Sequence, residues 1–121
     1  MKRLILALLV AVTLGVVLQA AFYDFEQITV DATAAGKGFT SSKITPTNAP
    51  AMTIASCRLR TAEISYLLVD PAKTTVTASV GQLLEPGDVI TLTDREQILN
   101  FRAIRTGATS GQLDCWYRAV P

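Results

Sequence analysis

The run Ala51-Met52-Thr53-Ile54-Ala55-Ser56-Cys57-Arg58-Leu59-Arg60-Thr61-Ala62-Glu63-Ile64-Ser65-Tyr66-Leu67-Leu68-Val69 decides the fold. Its first half alternates, with Ile54, Ser56, Arg58 and Arg60 on one face and Ala55, Cys57 and Leu59 on the other, the two-residue period of a strand. Near Thr61-Ala62 the alternation changes phase, and Ile64, Tyr66 and Leu68 align instead. The run is too long for one strand, so it predicts two strands joined by a bulge or a bend between sheets. Cys57 is expected to point inward.

The same signals recur on both sides. Phe25 to Val30 predicts a short strand ending at Asp31-Ala32-Thr33, with a loop over residues 34–38. Phe39 to Thr45 is expected as an edge strand, because Pro46 removes a backbone donor and biases Thr45 toward extended geometry. Asp70-Pro71-Ala72-Lys73 reads as a turn and Thr74 to Val80 as a returning strand. Glu85-Pro86-Gly87-Asp88 has proline and glycine at the positions a type II turn prefers, and is expected to link two strands tightly. Val89 to Leu92 continues as a strand, Thr93-Asp94-Arg95-Glu96 turns, Ile98 to Arg105 alternates, and Thr106 to Gly111 closes a hairpin. Gln112 to Val120 sets Leu113, Cys115, Tyr117 and Ala119 against Asp114, Trp116 and Arg118. The expectation is an all-β domain, a two-layer antiparallel β-sandwich of seven or eight strands, jelly-roll-like or immunoglobulin-like.

The N-terminus has a different composition. Lys2 and Arg3 precede an apolar run from Leu4 to Leu18, and Gln19-Ala20-Ala21 follows, the layout of a signal peptide cleaved after Ala20. An uncleaved hydrophobic helix through residue 22, tethering the chain to a membrane, is the other reading. The expected division is residues 1–21 as leader or anchor and residues 22–121 as one β domain, since 121 residues hold material for a single core.

Composition excludes several functions. The chain has no histidine, the commonest general base and metal ligand. The formal net charge is +1, and without Lys2 and Arg3 there are 9 basic against 10 acidic residues, so neither form carries an electrostatic footprint for nucleic acid. The ten carboxylates are scattered and mostly at turns, and Lys37, Lys43 and Lys73 are expected in exposed loops. No catalytic, cofactor-binding or metal-binding residues are assigned, and no enzyme activity or cofactor is expected. Cys57 and Cys115 suit either a disulfide or two buried thiols. If bridged, they close a loop of about 58 residues worth about 3–4 kcal/mol. Arg102, Arg105, Trp116 and Arg118 are expected to form a small basic and aromatic interaction patch.

The segments Phe25-x-x-Ile28-Thr29-Val30-Asp31, Phe39-Thr40, Ala62-x-Ile64-x-Tyr66, Asp70, Thr77-Ala78-Ser79-Val80-Gly81, Leu84-x-x-Gly87-Asp88, Ile98-x-x-Phe101-Arg102-Ala103-Ile104-Arg105 and Leu113 cover most of the domain. Together they resemble small β-sandwich accessory proteins of tailed bacteriophages and prophages. Asp70-Pro71-Ala72-Lys73-Thr74 stands where those proteins usually carry an Asp-Gly-Thr turn, and the leader is a second departure. The resemblance implies a virion structural or decoration protein acting through self-association or docking on capsid or other virion proteins. The leader points instead to an exported or membrane-tethered adhesion or ligand-binding module of a bacterial envelope.

Overall fold

The structure is a computed structural model that describes residues 22–120. The expected leader, its cleavage site and its helix lie outside the described residues. Seven strands are present among the described residues: β1 (Phe22–Val30), β2 (Ile54–Leu59), β3 (Ile64–Leu67), β4 (Gln82–Leu84), β5 (Val89–Leu92), β6 (Arg102–Arg105) and β7 (Gly111–Ala119). Two short helices accompany them, α1 (Ser41–Ile44) and α2 (Arg95–Asn100). The strands form two sheets, one in the order β1-β7-β2-β5 and the other β4-β3-β6, with every neighbouring pair antiparallel.

The all-β expectation holds, and β7 shows why. Along it Gly111, Leu113, Cys115, Tyr117 and Ala119 are buried while the residues between them are not, the alternation of a strand with one face on a core. β2 repeats the pattern with Ala55, Cys57 and Leu59 buried. Ile64 from β3, Leu84 from β4 and Ala103 from β6 meet these residues, so both sheets supply one continuous apolar core. Phe39 stacks on Phe101 with ring centroids 4.4 Å apart and meets the edge of Tyr117 at 5.4 Å, filling one end of it.

The phase change at Thr61-Ala62 is a passage between sheets: β2 lies in the four-stranded sheet and β3 in the three-stranded one. The Glu85–Asp88 turn forms with Gly87 at φ +94° and the Asp88 N–H donating to the Glu85 carbonyl at 3.0 Å. It joins strands of different sheets, however, so its ends do not make a hairpin. Instead the Gly87 N–H donates to the Leu59 carbonyl at 2.7 Å and the Leu59 N–H to the Asp88 carbonyl at 3.0 Å, pinning the corner to the end of β2. Residues 106–110 are also a corner, from β6 in one sheet to β7 in the other, and not the expected hairpin. A turn motif fixes a reversal of the chain; which strand lies alongside is decided by the core.

Three further expectations are corrected. Phe39 to Thr45 is no edge strand: the Glu26 carboxylate accepts the Thr40 N–H at 3.0 Å and the Thr40 hydroxyl at 2.6 Å, and the one-turn helix α1 begins there. Lys43 therefore lies on a helix, with its ammonium 3.0 Å from Asp24. Residues 98–100 belong to α2, because Asp94 caps it by accepting the Glu96 N–H at 2.8 Å, and strand geometry resumes only at Arg102. Residues 74–80 make a single isolated bridge, Thr77 to Val80, in place of a strand. Arg95, at the start of α2, donates to the Ile44 carbonyl at 2.7 Å, the Met52 carbonyl at 3.0 Å and the Thr45 hydroxyl, which fixes the segment between α1 and β2.

Cys57 and Cys115 stand directly opposite each other on β2 and β7 and form a disulfide, with Cα atoms 4.1 Å apart, the closer of the two spacings in an antiparallel ladder. Both residues are buried. Replacing both, as Cys57→Ala with Cys115→Ala, is expected to lower unfolding free energy by about 3–4 kcal/mol, read as a lower urea midpoint with a steeper slope because the unbridged unfolded chain is less compact. An unchanged midpoint would show that the bridge contributes nothing beyond packing.

Candidate functional site

The inner faces of both sheets are committed to the core, so recognition falls to the outside. On the four-stranded sheet the register sets the outward side chains in rows. Tyr23, Arg118 and Ile54 form one row; Phe25, Trp116, Ser56 and Thr91 the next; Gln27, Asp114, Arg58 and Val89 the third. Three large side chains lie together here with much of their surface in solvent: Tyr23 is 67% exposed, Trp116 53% and Phe25 45%. Phe25 and Trp116 are directly opposed, with ring centroids 5.2 Å apart at a tilt of 55°. Their contact is lateral and leaves both rings facing outward.

Polar groups frame the aromatics. Asp114 accepts from the Gln27 amide at 2.9 Å and lies 3.5 Å from the Arg60 guanidinium. Arg58 and Arg118 have no carboxylate partner among the described residues. Ser56 and Thr91 share a hydrogen bond of 3.3 Å between β2 and β5. Two shallow clefts open on this face with Trp116 in the wall of each. The first, an open space of about 580 Å³, runs between Arg58, Arg60 and Asp114 and the corner at Pro86-Gly87. The second is more apolar and lies among Tyr23, Ile54, Thr93 and Arg118. Such a concentration of Trp, Tyr and Arg is the composition of binding hot spots.

The expected patch is divided by the fold. Trp116 and Arg118 are on this outer face, two residues apart on β7. Arg102 and Arg105 belong to β6, in the other sheet, and their guanidinium groups turn back onto the backbone. Arg102 donates to the Leu99 and Phe101 carbonyls at 3.1 and 2.6 Å, and Arg105 to the Ala108 carbonyl at 3.1 Å. The partners of Trp116 are Phe25, Tyr23 and Arg58, none of which is near it in sequence. Alternation placed Arg58 on the face of its strand opposite Cys57, but the pairing of β7 with both β1 and β2 carried the information that joins these residues.

Two further clusters emerge. Glu63 and Glu85 meet across the extension of the β3–β4 pair, and a hydrogen bond between their carboxyl groups leaves Glu63 below the usual carboxylate range and Glu85 above it. The Thr106 hydroxyl, donating to Glu63 at 2.8 Å, adds to the lowering. Among the described residues no group of three or more Cys, Asp or Glu side chains is arranged to hold a metal ion, and no helix is long and apolar enough to cross a membrane.

The second cluster is internal. Tyr117 donates its phenol to the Glu26 carboxylate, which also takes both donors of Thr40, so one carboxylate ties β1, β7 and the start of α1 together. No protein-family model, curated protein or solved structure matches this chain.

Burial, and then the bond to Glu26, push the Tyr117 phenol far above the ordinary tyrosine range. Because the folded form holds this proton where the unfolded chain releases it, the contribution is complete below about pH 10 and is lost as pH rises beyond. Urea midpoints measured from pH 8 to 11 should fall above about pH 10, with a shallower fall for Tyr117→Phe; burial also raises Tyr66, which supplies the remainder. Equal falls in both proteins would remove Tyr117 from this role.

Proposed function

We propose that this chain is a non-enzymatic virion structural or decoration module of the tailed-phage type, a two-layer β-sandwich that docks on a protein lattice. The observation that carries this reading is the exposed Phe25–Trp116 pair midway along β1 and β7, flanked by Tyr23 and by Arg58 and Arg118, which have no carboxylate partner among the described residues. A rigid antiparallel sheet presents these groups at fixed spacing, so little side-chain or backbone order is lost on docking. The resemblance of the turn and strand segments to phage accessory proteins supports the choice of a virion lattice as partner. A core shared by both sheets supports the sandwich description.

A second reading rests on the disulfide. Bridges such as Cys57–Cys115 form and persist in oxidising compartments, which favours an exported or membrane-tethered adhesion or ligand-binding module of a bacterial envelope. The apolar segment at residues 4–18 agrees with it.

One fractionation separates the two. Under the virion reading the protein sediments with particles, carries an intact Met1, and loses about tenfold or more of its association when Phe25→Ser and Trp116→Ser are combined, with the double variant still folded by circular dichroism. A protein beginning after Ala20, recovered in the envelope fraction and absent from particles, would overturn it in favour of export.

A further inference from the structure

The outer face is more specific than a generic adhesive patch, because two arginines and an aromatic group occupy successive rows of it, Arg118 and Trp116 on β7 and Arg58 on the neighbouring β2. Arg118, Trp116 and Arg58 occupy three successive rows of the sheet. Rows on one face of a strand are two residues apart, about 6.8 Å, so the Arg118 and Arg58 rows are separated by about 14 Å with the indole row between them. The acid on the same face, Asp114, is already engaged by Gln27 and Arg60. The face therefore carries a net positive charge, whereas residues 22–121 taken together have one more acid than base.

An extended peptide has the same two-residue period. Resting on the docking reading above, we propose that the partner is a different protein whose docking element is an extended segment of the pattern acidic-x-apolar-x-acidic. It lies along β2 and β7, with its apolar side chain on Trp116 and its two carboxylates over the Arg118 and Arg58 rows. Charge complementarity selects an acidic partner, and the period selects an extended one. A second copy of this chain does not supply the element, because no two of its ten carboxylates are four residues apart.

Trp116 is the sole tryptophan of the chain, so its fluorescence reports on this face alone. The full chain is titrated with a synthetic peptide containing Glu-Thr-Leu-Thr-Glu, with the Lys-Thr-Leu-Thr-Lys counterpart, with the reordered Glu-Glu-Leu-Thr-Thr, and with polygalacturonate. The acidic alternating peptide is expected to shift the emission saturably and to weaken about fivefold between about 50 and 300 mM salt. The lysine peptide should give no shift and the reordered peptide a shift about fivefold weaker or less. Combining Arg58→Glu with Arg118→Glu should cost about tenfold or more in affinity while the urea midpoint stays put. No shift with the acidic peptide, an equal one with the lysine or reordered peptide, or an equal one with polygalacturonate would overturn the inference. The docking reading fails separately: wild-type protein that binds the peptide yet never sediments with particles overturns that reading and keeps this one. Arg58→Glu with Arg118→Glu that still sediments with particles keeps docking and overturns the acidic partner.

Discussion

The pairing of β7 with β2 is the constraint on which the rest of the structure depends. β7 is hydrogen-bonded along its full length to β1 on one side and across most of it to β2 on the other. At the middle of that seam the two inward cysteines face each other and are joined. A one-residue slip of β7 along β2 would separate them and would also turn Leu113 and Tyr117 out of the core, so the covalent bond and the hydrophobic pattern specify the same register. With it set, Tyr117 reaches Glu26, Glu26 reaches Thr40, and the segment carrying Phe39 closes over the end of the core.

The same register composes the outer face. Each outward residue of β7 acquires a neighbour from β1 and from β2, so Trp116 lies between Phe25 and Ser56, and Asp114 between Gln27 and Arg58. Core and outer face are thus two sides of one alternation. The inner side is apolar throughout. The outer side is mixed, with an aromatic centre and arginines at both ends, a composition more selective than solubility alone requires.

The corners show how chain order and spatial order separate. β2 to β3, β4 to β5 and β6 to β7 are each joined by a short connection, and each connection crosses from one sheet to the other. Short links between antiparallel strands suggest hairpins. Here the buried phase shifts only from Leu59 to Ile64, and is kept from Leu84 to Ile90 and from Ala103 to Leu113, so alternation alone does not mark the other two crossings. The Gly87 turn is well formed because its outward-facing donors and acceptors are satisfied by Leu59, a residue of the earlier strand.

The sequence by itself determined the strand positions that carry strong alternation, β1, β2, β5 and β7, because period-two patterning is a local property written residue by residue. It also determined the inward set of β7, the break in alternation at Thr61-Ala62 and the turn at Glu85–Asp88. It misassigned residues 98–100, where Asp94 and Gln97 at capping-box spacing were the available signal for a helix start and the alternation of Ile98 and Asn100 competed with it. It misassigned residues 39–45 because Thr40, where the helix starts, is held through its N–H and hydroxyl by Glu26, a residue of β1 that no local pattern names. Of the expected patch, Trp116 and Arg118 remain together and Arg102 and Arg105 do not. Only the tertiary structure decided which residues surround Trp116, since neighbours across a sheet are fixed by non-local hydrogen bonding and shared burial, and those energies belong to pairs of strands.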